Sequence, residues 1–194
     1  ASPLLVASQR QALKAELMDA CRSQSYGADT DTDGVRRISS LIDRLAELNP
    51  TADPAQSPKL CRKWEVTWTT ESELLTLTKS GFLGLPCLGA SQTITRSEAK
   101  RADGIGFEYE LSNDIAFDDG FLRVGSTCEP ESRGGRVNFR FESCAARWRS
   151  VEVPLPPVGS GWFDVVYLDD DLRLCRDVRG DLQVCTIAAG GPTA

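Results

Sequence analysis

Two hydrophobic periods divide the chain. Over residues 5–22, Val6, Leu13, Leu17 and Cys21 recur at helical spacing among good helix formers, and over 34–47 the residues Val35, Ile38, Leu41, Ile42 and Leu45, followed by Leu48, share one face. Two N-terminal amphipathic helices are expected, both packing on the body of the domain. The run Asp29-Thr30-Asp31-Thr32-Asp33-Gly34 imitates the opening of a calcium loop. The twelfth position, however, is Ser40 rather than a bidentate acid, and Arg36 and Arg37 stand among the would-be ligands. Capping of the second helix and complementation of its dipole explain these acids better. Asn49-Pro50 ends that helix, and residues 51–58 read as a linker without helix or strand pattern.

Beyond it the period falls to two. Trp64, Val66 and Trp68 alternate with Glu65, Thr67 and Thr69, which predicts a half-buried strand with both tryptophans inward. Further strands are expected at 91–96, at Ile105, Phe107, Tyr109 and Leu111, at Leu122 and Val124, at Val137, Phe139 and Phe141, and at 147–153. Three more follow at 162–168, 172–175 and 182–187. A two-residue turn on Arg179-Gly180 would set Leu174 opposite Cys185 and Leu172 opposite Ile187, with Arg173 and Thr186 on the other face and Cys175 and Cys185 on opposite faces. Residues 72–79 suit a short helical turn. Residues 81–89, GFLGLPCLG, form an apolar loop whose Phe82, Leu83, Leu85 and Leu88 either fill the core or touch lipid; it lacks the ending of a phosphate loop. About eight or nine consecutive antiparallel strands with one apolar face predict a mainly β protein, an up-and-down barrel or strongly curved sheet.

Composition narrows the function classes. At 194 residues and 41% hydrophobic, the chain can bury a full core as one domain. Its net charge of -6 disfavours nucleic acid as a partner. There is no histidine, so a Ser-His-Asp triad, a Cys-His pair, His-ligated zinc and an imidazole base are excluded within this chain. Seven cysteines, an odd number without a CxxC pair, point to neither a disulfide framework nor a zinc ribbon and fit a reducing compartment. No apolar run approaches the roughly 18 residues of a membrane span, and a soluble chain without cofactor or metal is expected.

The inward residues Trp64, Val66, Trp68, Phe107, Tyr109, Phe139 and Phe141 are candidates for touching an apolar ligand. A barrel of this size either fills itself with side chains or holds one small molecule, and the pattern is compatible with both. Asp164, Asp169, Asp170 and Asp171 with Arg173 and Arg176 form the densest polar constellation. Arginines so close would keep the carboxylates ionised, so a structural Asp–Arg network at one end of the barrel is expected rather than acid/base catalysis. Arg133, Arg136, Arg140, Arg147 and Arg149 with Trp148 make a locally basic region, read as scattered solvated surface.

The segment 161–180 resembles the C-terminal signature of the fibrillin, or plastid lipid-associated protein (PAP), family through Gly161, Trp162, Asp164, Tyr167, Leu168, Asp169, Asp171, Leu172, Arg173, Arg176 and Gly180. The segment ISSLIDRLAELNPTADP is similar to that family's helix ending in Asn-Pro-Thr. The strand at Trp64 resembles the first strand of lipocalin-like barrels, with Arg62 where such proteins usually carry glycine. The resemblance implies a lipocalin-like barrel over 59–188, a helical extension and linker over 1–58, and a short tail over 189–194. In function it implies a non-enzymatic chloroplast protein of the stroma, plastoglobule or thylakoid surface that binds a prenyl lipid, carotenoid or acyl chain in or at the mouth of the barrel. The alternative is a filled barrel serving as scaffold or interaction subunit of a plastid protein complex. The absence of an initiator Met and of a Ser/Arg-rich leader suits a mature form after transit-peptide removal. Trp162, Asp164, Tyr167, Asp169, Asp171, Arg173, Arg176 and Gly180 are expected to act structurally.

Overall fold

A computed structural model describes residues 2–81, 84–100, 107–157 and 159–188. The expected helices are present as α1 (Pro3–Cys21) and α2 (Thr32–Glu47). Asp31 caps α2, its Oδ1 accepting from the Gly34 amide at 2.7 Å, so the acidic run starts a helix. The tight turn between the helices lies against the barrel at Gly27, whose φ is +112° and where a Cβ would stand 2.2 Å from the Thr69 carbonyl oxygen. After a linker come β1 (Lys63–Thr69) and a short helix α3 (Ser72–Ser80). Eight strands follow: β2 (Cys87–Lys100), β3 (Phe107–Phe117), β4 (Gly120–Pro130), β5 (Arg136–Trp148), β6 (Val151–Leu155), β7 (Ser160–Leu168), β8 (Leu172–Asp177) and β9 (Leu182–Ile187).

All described pairings are antiparallel, in the order β4-β3-β2-β1-β9-β8-β7-β5-β6, and a further β4–β5 pairing closes the ring. The first half of β5 pairs with β7 from Arg136 to Arg140, and its second half pairs with β6 from Cys144 to Trp148. The ring therefore passes from β5 directly to β7, and β6 lies outside it. Closure satisfies the edges that an open sheet would expose. Arg147, expected to open a separate strand, lies near the end of β5 instead, and the turn to β6 falls at Arg149, whose φ is +54°.

The sheet has two apolar faces. Outside the ring, Leu13, Leu17 and Cys21 of α1 and Ile38, Leu41, Ile42 and Leu45 of α2 bury Trp68, Tyr167, Leu172, Leu174, Leu182 and Val184. Inside, Trp64, Val66, Ile94, Tyr109, Leu111, Val137, Val165, Leu168, Cys175 and Cys185 pack together. Trp68 is thus not inward, as alternation predicts. The register shifts between Val66 and Trp68 against β9, and this extra residue turns Trp68 outward, where its indole Nε1 donates to Thr30 Oγ1 at 2.9 Å. A matching shift between Val165 and Tyr167 sends Tyr167 to the helices.

The last hairpin also differs from expectation. Leu174 pairs with Val184 and Leu172 with Thr186, one residue away from the two-residue-turn register. The Asp177 carboxylate accepts from the amides of Arg179 and Asp181 at 2.8 and 2.9 Å and widens the loop to 178–181, with Gly180 at φ +85°. A shift of one residue exchanges faces along one whole strand. Cys175 and Cys185 consequently share the inner face, whereas Thr186 lies on the outer one beside Leu172 and Leu174.

The linker is not featureless. Two 3-10 turns, Pro54–Gln56 and Pro58–Leu60, plug one end of the ring, with Ala55 and Leu60 fully buried. Tyr109 donates its hydroxyl to the Ala55 carbonyl at 2.8 Å and Trp64 donates Nε1 to the Leu60 carbonyl at 3.0 Å. The Ala55 amide reaches the Gly134 carbonyl, while the Gly134 amide donates to Asp53 Oδ1 at 2.8 Å. Ile105, Phe82, Leu83 and the tail at 189–194 lie outside the described residues.

Candidate ligand cavity

The opposite end of the barrel is hollow. A cavity of about 640 Å³ runs between the strands and α3, walled by Val66, Leu111, Ile115, Val124, Phe139, Phe141 and Phe163, with Leu74 and Leu77 of α3 lying over it. That volume lies within the range that encloses small-molecule ligands. Of the candidate ligand contacts, Val66, Phe139 and Phe141 line the cavity. Trp64 and Tyr109 are fully buried in the plugged end, and the Phe107 ring packs on Tyr109 with centroids 5.0 Å apart. Trp68 lies outside the ring among the helices. The short helical turn expected at 72–79 is α3, but Leu74 and Leu77, one turn apart on it, were not among the candidate ligand contacts.

The rim is charged. Arg179 of the β8–β9 loop donates to Glu73 of α3, with Nη2 to Oε2 at 3.0 Å, and its Nε lies 3.3 Å from Asp181 and 3.5 Å from Asp177. It ties α3 to the loop across the mouth. Hydrogen bonding to Arg179 holds the Glu73 carboxyl down at about 2. Glu71 behaves oppositely: burial, then repulsion from Asp177 and Asp181, pushes it up to about 7. Its Oε1 accepts from Gln183 Nε2 at 2.8 Å.

The signature segment does not form an internal Asp–Arg network; its carboxylates reach to other elements. Asp164 takes two hydrogen bonds of 2.9 Å from Arg136, whose guanidinium stacks 3.8 Å from the Trp162 ring centre. Asp169 accepts from Lys14 of α1 at 2.7 Å, from the Tyr167 hydroxyl and from the Leu172 amide at 2.9 Å. Burial opposes its charge, but the hydrogen bonds from Lys14 and Tyr167 win and hold the carboxyl well below the usual range. Lys14 also pairs with Asp171, and Lys59 with Asp170 at 2.8 Å. Arg176 meets Asp43 of α2 at 2.9 Å. Asn49 Oδ1 accepts from the Leu168 amide at 3.1 Å, and Thr51 Oγ1 donates to the Leu168 carbonyl at 2.7 Å. The two sequence motifs, far apart in the chain, are one joint between α2 and the end of β7.

Arg173 is placed differently from the rest of the segment. It is 1% exposed inside the ring, and its Nη2 donates to Gln92, to Gln183 at 3.2 Å and to Cys185 Sγ at 3.2 Å. Alternation with Leu172 and Leu174 assigns it to the face away from the helices, which in an open sheet would be solvent. In a closed ring that face is the interior. Of the basic region, Arg140 pairs with Glu142 and Arg149 stacks on Trp148, both at the surface, as expected for dispersed charge.

The class the fold defines is a closed antiparallel β-barrel, plugged at one end and hollow beneath a short helix at the other. A family model described as PAP_fibrillin matches residues 11–186, and the chain belongs to that family. It is similar to "Probable plastid-lipid-associated protein 11, chloroplastic" of Arabidopsis thaliana, 33% identical over 181 residues, which span 91% of this chain and 80% of that one. A second relative, "Probable plastid-lipid-associated protein 5, chloroplastic" of the same plant, is 34% identical over 77 residues, 40% of this chain and 33% of that one. No solved structure matches the chain.

Proposed function

We propose that this protein is a non-enzymatic plastid carrier that encloses one apolar molecule, a prenyl lipid, carotenoid or acyl chain, in the barrel beneath α3. The observation that carries the reading is the apolar cavity of about 640 Å³ in a chain whose relatives are named as plastid-lipid-associated. The fold supplies the means: one end is plugged by the 3-10 turns, so a ligand enters at the α3 mouth, where tied charges and the buried Leu74 hold the helix over the opening. Val66, Phe139 and Phe141 contact the ligand, and Trp64, Phe107 and Tyr109 form the floor above which it rests. The barrel at 59–188 binds, and the extension at 1–58 braces it; delivery takes place at a plastoglobule or thylakoid surface. Leu88, 63% exposed on β2, is an apolar contact available near that mouth.

The test is lipid mass spectrometry on protein isolated from plastids without detergent, beside a mock isolation. Enrichment of one prenyl or acyl species near one per chain is expected. A clean blank, with protein partners recovered and no uptake of added lipid in vitro, would replace the carrier with a scaffold subunit.

A further inference from the structure

The barrel encloses a guanidinium that has no ion-pair partner among the described residues. Arg173 is fully charged at any accessible pH, and its Cζ lies 5.4 Å from the centre of the Trp64 ring. Nη2 is engaged by Gln92, Gln183 and Cys185, but Nε and Nη1 are buried with no hydrogen-bond partner, leaving three of the five guanidinium N–H groups unused. No carboxylate among the described residues forms an ion pair with it. The neighbouring thiols are no substitute, because burial pushes Cys128 and Cys175 up to about 12 and raises Cys185 as well, so all three are neutral. Glu71 acts on the guanidinium only at a distance: its carboxyl hydrogen-bonds Gln183 and makes no ion pair with Arg173. A buried cation left this way is costly, and such groups are ordinarily paired.

The two amides that cover Arg173 line the cavity. Gln92 and Gln183 are both part of its wall, and each is held by a second partner: Gln92 Nε2 donates to Asn113 Oδ1 at 2.7 Å, and Gln183 Nε2 to Glu71. Asn113, Gln92, Arg173, Gln183 and Glu71 thus form a hydrogen-bonded polar band beside the phenylalanine wall, in a chamber whose lining also carries Asp114 and, toward the rim, Glu73, Asp177, Asp181 and Arg179. An anion that displaced one glutamine oxygen from Nη2 would gain a second N–H from Nε or Nη1. A planar carboxylate matches that two-pronged geometry.

We propose that the chamber selects a long-chain monocarboxylate, a free fatty or isoprenoid acid, whose carboxylate pairs with Arg173 between Gln92 and Gln183 while its tail lies along Phe139 and Phe141 toward the α3 mouth. This rests on the carrier reading above and specifies the head of the cargo. Neutral lipids of the same tail would leave the guanidinium unpaired and would bind less well.

Delipidated full-length chain is titrated calorimetrically with oleate, methyl oleate and oleyl alcohol, which share one tail, and with a neutral short-tailed prenylquinone. Oleate is expected to bind one per chain, tighter than the ester and the alcohol by at least about tenfold. Arg173→Met should bring oleate down to the level of the alcohol and leave the alcohol unchanged. The wild-type chain also carries a test independent of that variant's folding: NMR of carboxyl-labelled oleate should show the bound head ionised at pH values where the free acid is protonated. Equal affinities for all three tails would overturn the carboxylate inference and leave the lipid cavity standing. Failure of all four ligands to bind would overturn the lipid cavity itself, and this inference with it.

Discussion

The two ends of this barrel are built from the same strands and are opposite in character. At the plugged end, Trp64, Tyr109, Leu60 and Ala55 are each no more than 1% exposed, and the indole and phenol donors are satisfied by carbonyls of the 3-10 turns. At the mouth, the phenylalanines are only half-buried, α3 covers a void, and acids crowd around Arg179. One end is packed like any interior; the other keeps unspent surface and unsettled charge. A ring of strands tolerates this asymmetry because its hydrogen-bonded closure does not depend on what fills it. Stability can be concentrated at one end and binding at the other.

The sharpest test removes a large side chain from each end. Trp64→Ala should lower unfolding free energy by about 3–5 kcal/mol in urea titrations, since it empties a packed site and orphans the Leu60 carbonyl. Phe141→Ala, which only enlarges an existing cavity, should cost about 1 kcal/mol. Equal costs would mean that the mouth is packed as tightly as the floor.

Charge gives the second contrast. Glu71 titrates near 4.5 when unfolded and is pushed up to about 7 in the fold, by burial first and then by Asp177 and Asp181. Between those values only the native state holds the proton, so stability is greatest on the acid side of the window and falls as pH rises through it. The expected loss is about 2 kcal/mol after allowance for partial solvent access. Glu71→Gln should flatten the profile of melting temperature between pH 4.5 and 7. Asp169 acts with the opposite sign at the joint with α1: its carboxyl is held low, so its contribution is lost as pH falls below the ordinary carboxylate range.

Tyr109→Phe should then cost about 1 kcal/mol by leaving the buried Ala55 carbonyl without its donor, read as a shift of the urea midpoint. The smallest stability effect belongs to the rim. Arg179→Ala breaks an exposed latch and should change stability by no more than about 1 kcal/mol, yet release bound lipid faster in a stopped-flow transfer assay. Unchanged release would remove the latch from the mechanism. Arg176→Ala is the surface control: its pair with Asp43 is solvated on both sides, so the loss expected of a buried network should not appear.

The helices and most strands are legible in one dimension because amphipathic periods carry them. Ile38, Leu41, Ile42 and Leu45 face the sheet, and Val137 and Phe139 face the interior, as their spacing predicts. The errors of facing have one cause. Trp68, Thr186 and Cys185 fell on the wrong face because a bulge or a widened loop inserts one residue, and a period of two has no tolerance for one. The site was less legible than the fold. Phe139 and Phe141 line the cavity as an alternating strand suggests, but Leu74 and Leu77 come from an expected helical turn whose place over the barrel mouth no local pattern gives, and Gln92 and Gln183 look like ordinary polar strand positions.

By itself the sequence determined the class: a β-rich chain with two amphipathic helices, a motif pair shared with one family, and no histidine for the commonest catalytic devices. Only the tertiary structure decided which side of each strand is inside. Closing the sheet turned the polar face of β8 into an interior and drew a linker into a plug. It also joined Asn49 to Leu168 and left Arg173 buried beside a cavity. The physical reason is that local pattern specifies which residues share a face, whereas burial is a property of closure, and closure depends on pairings between strands far apart in the chain.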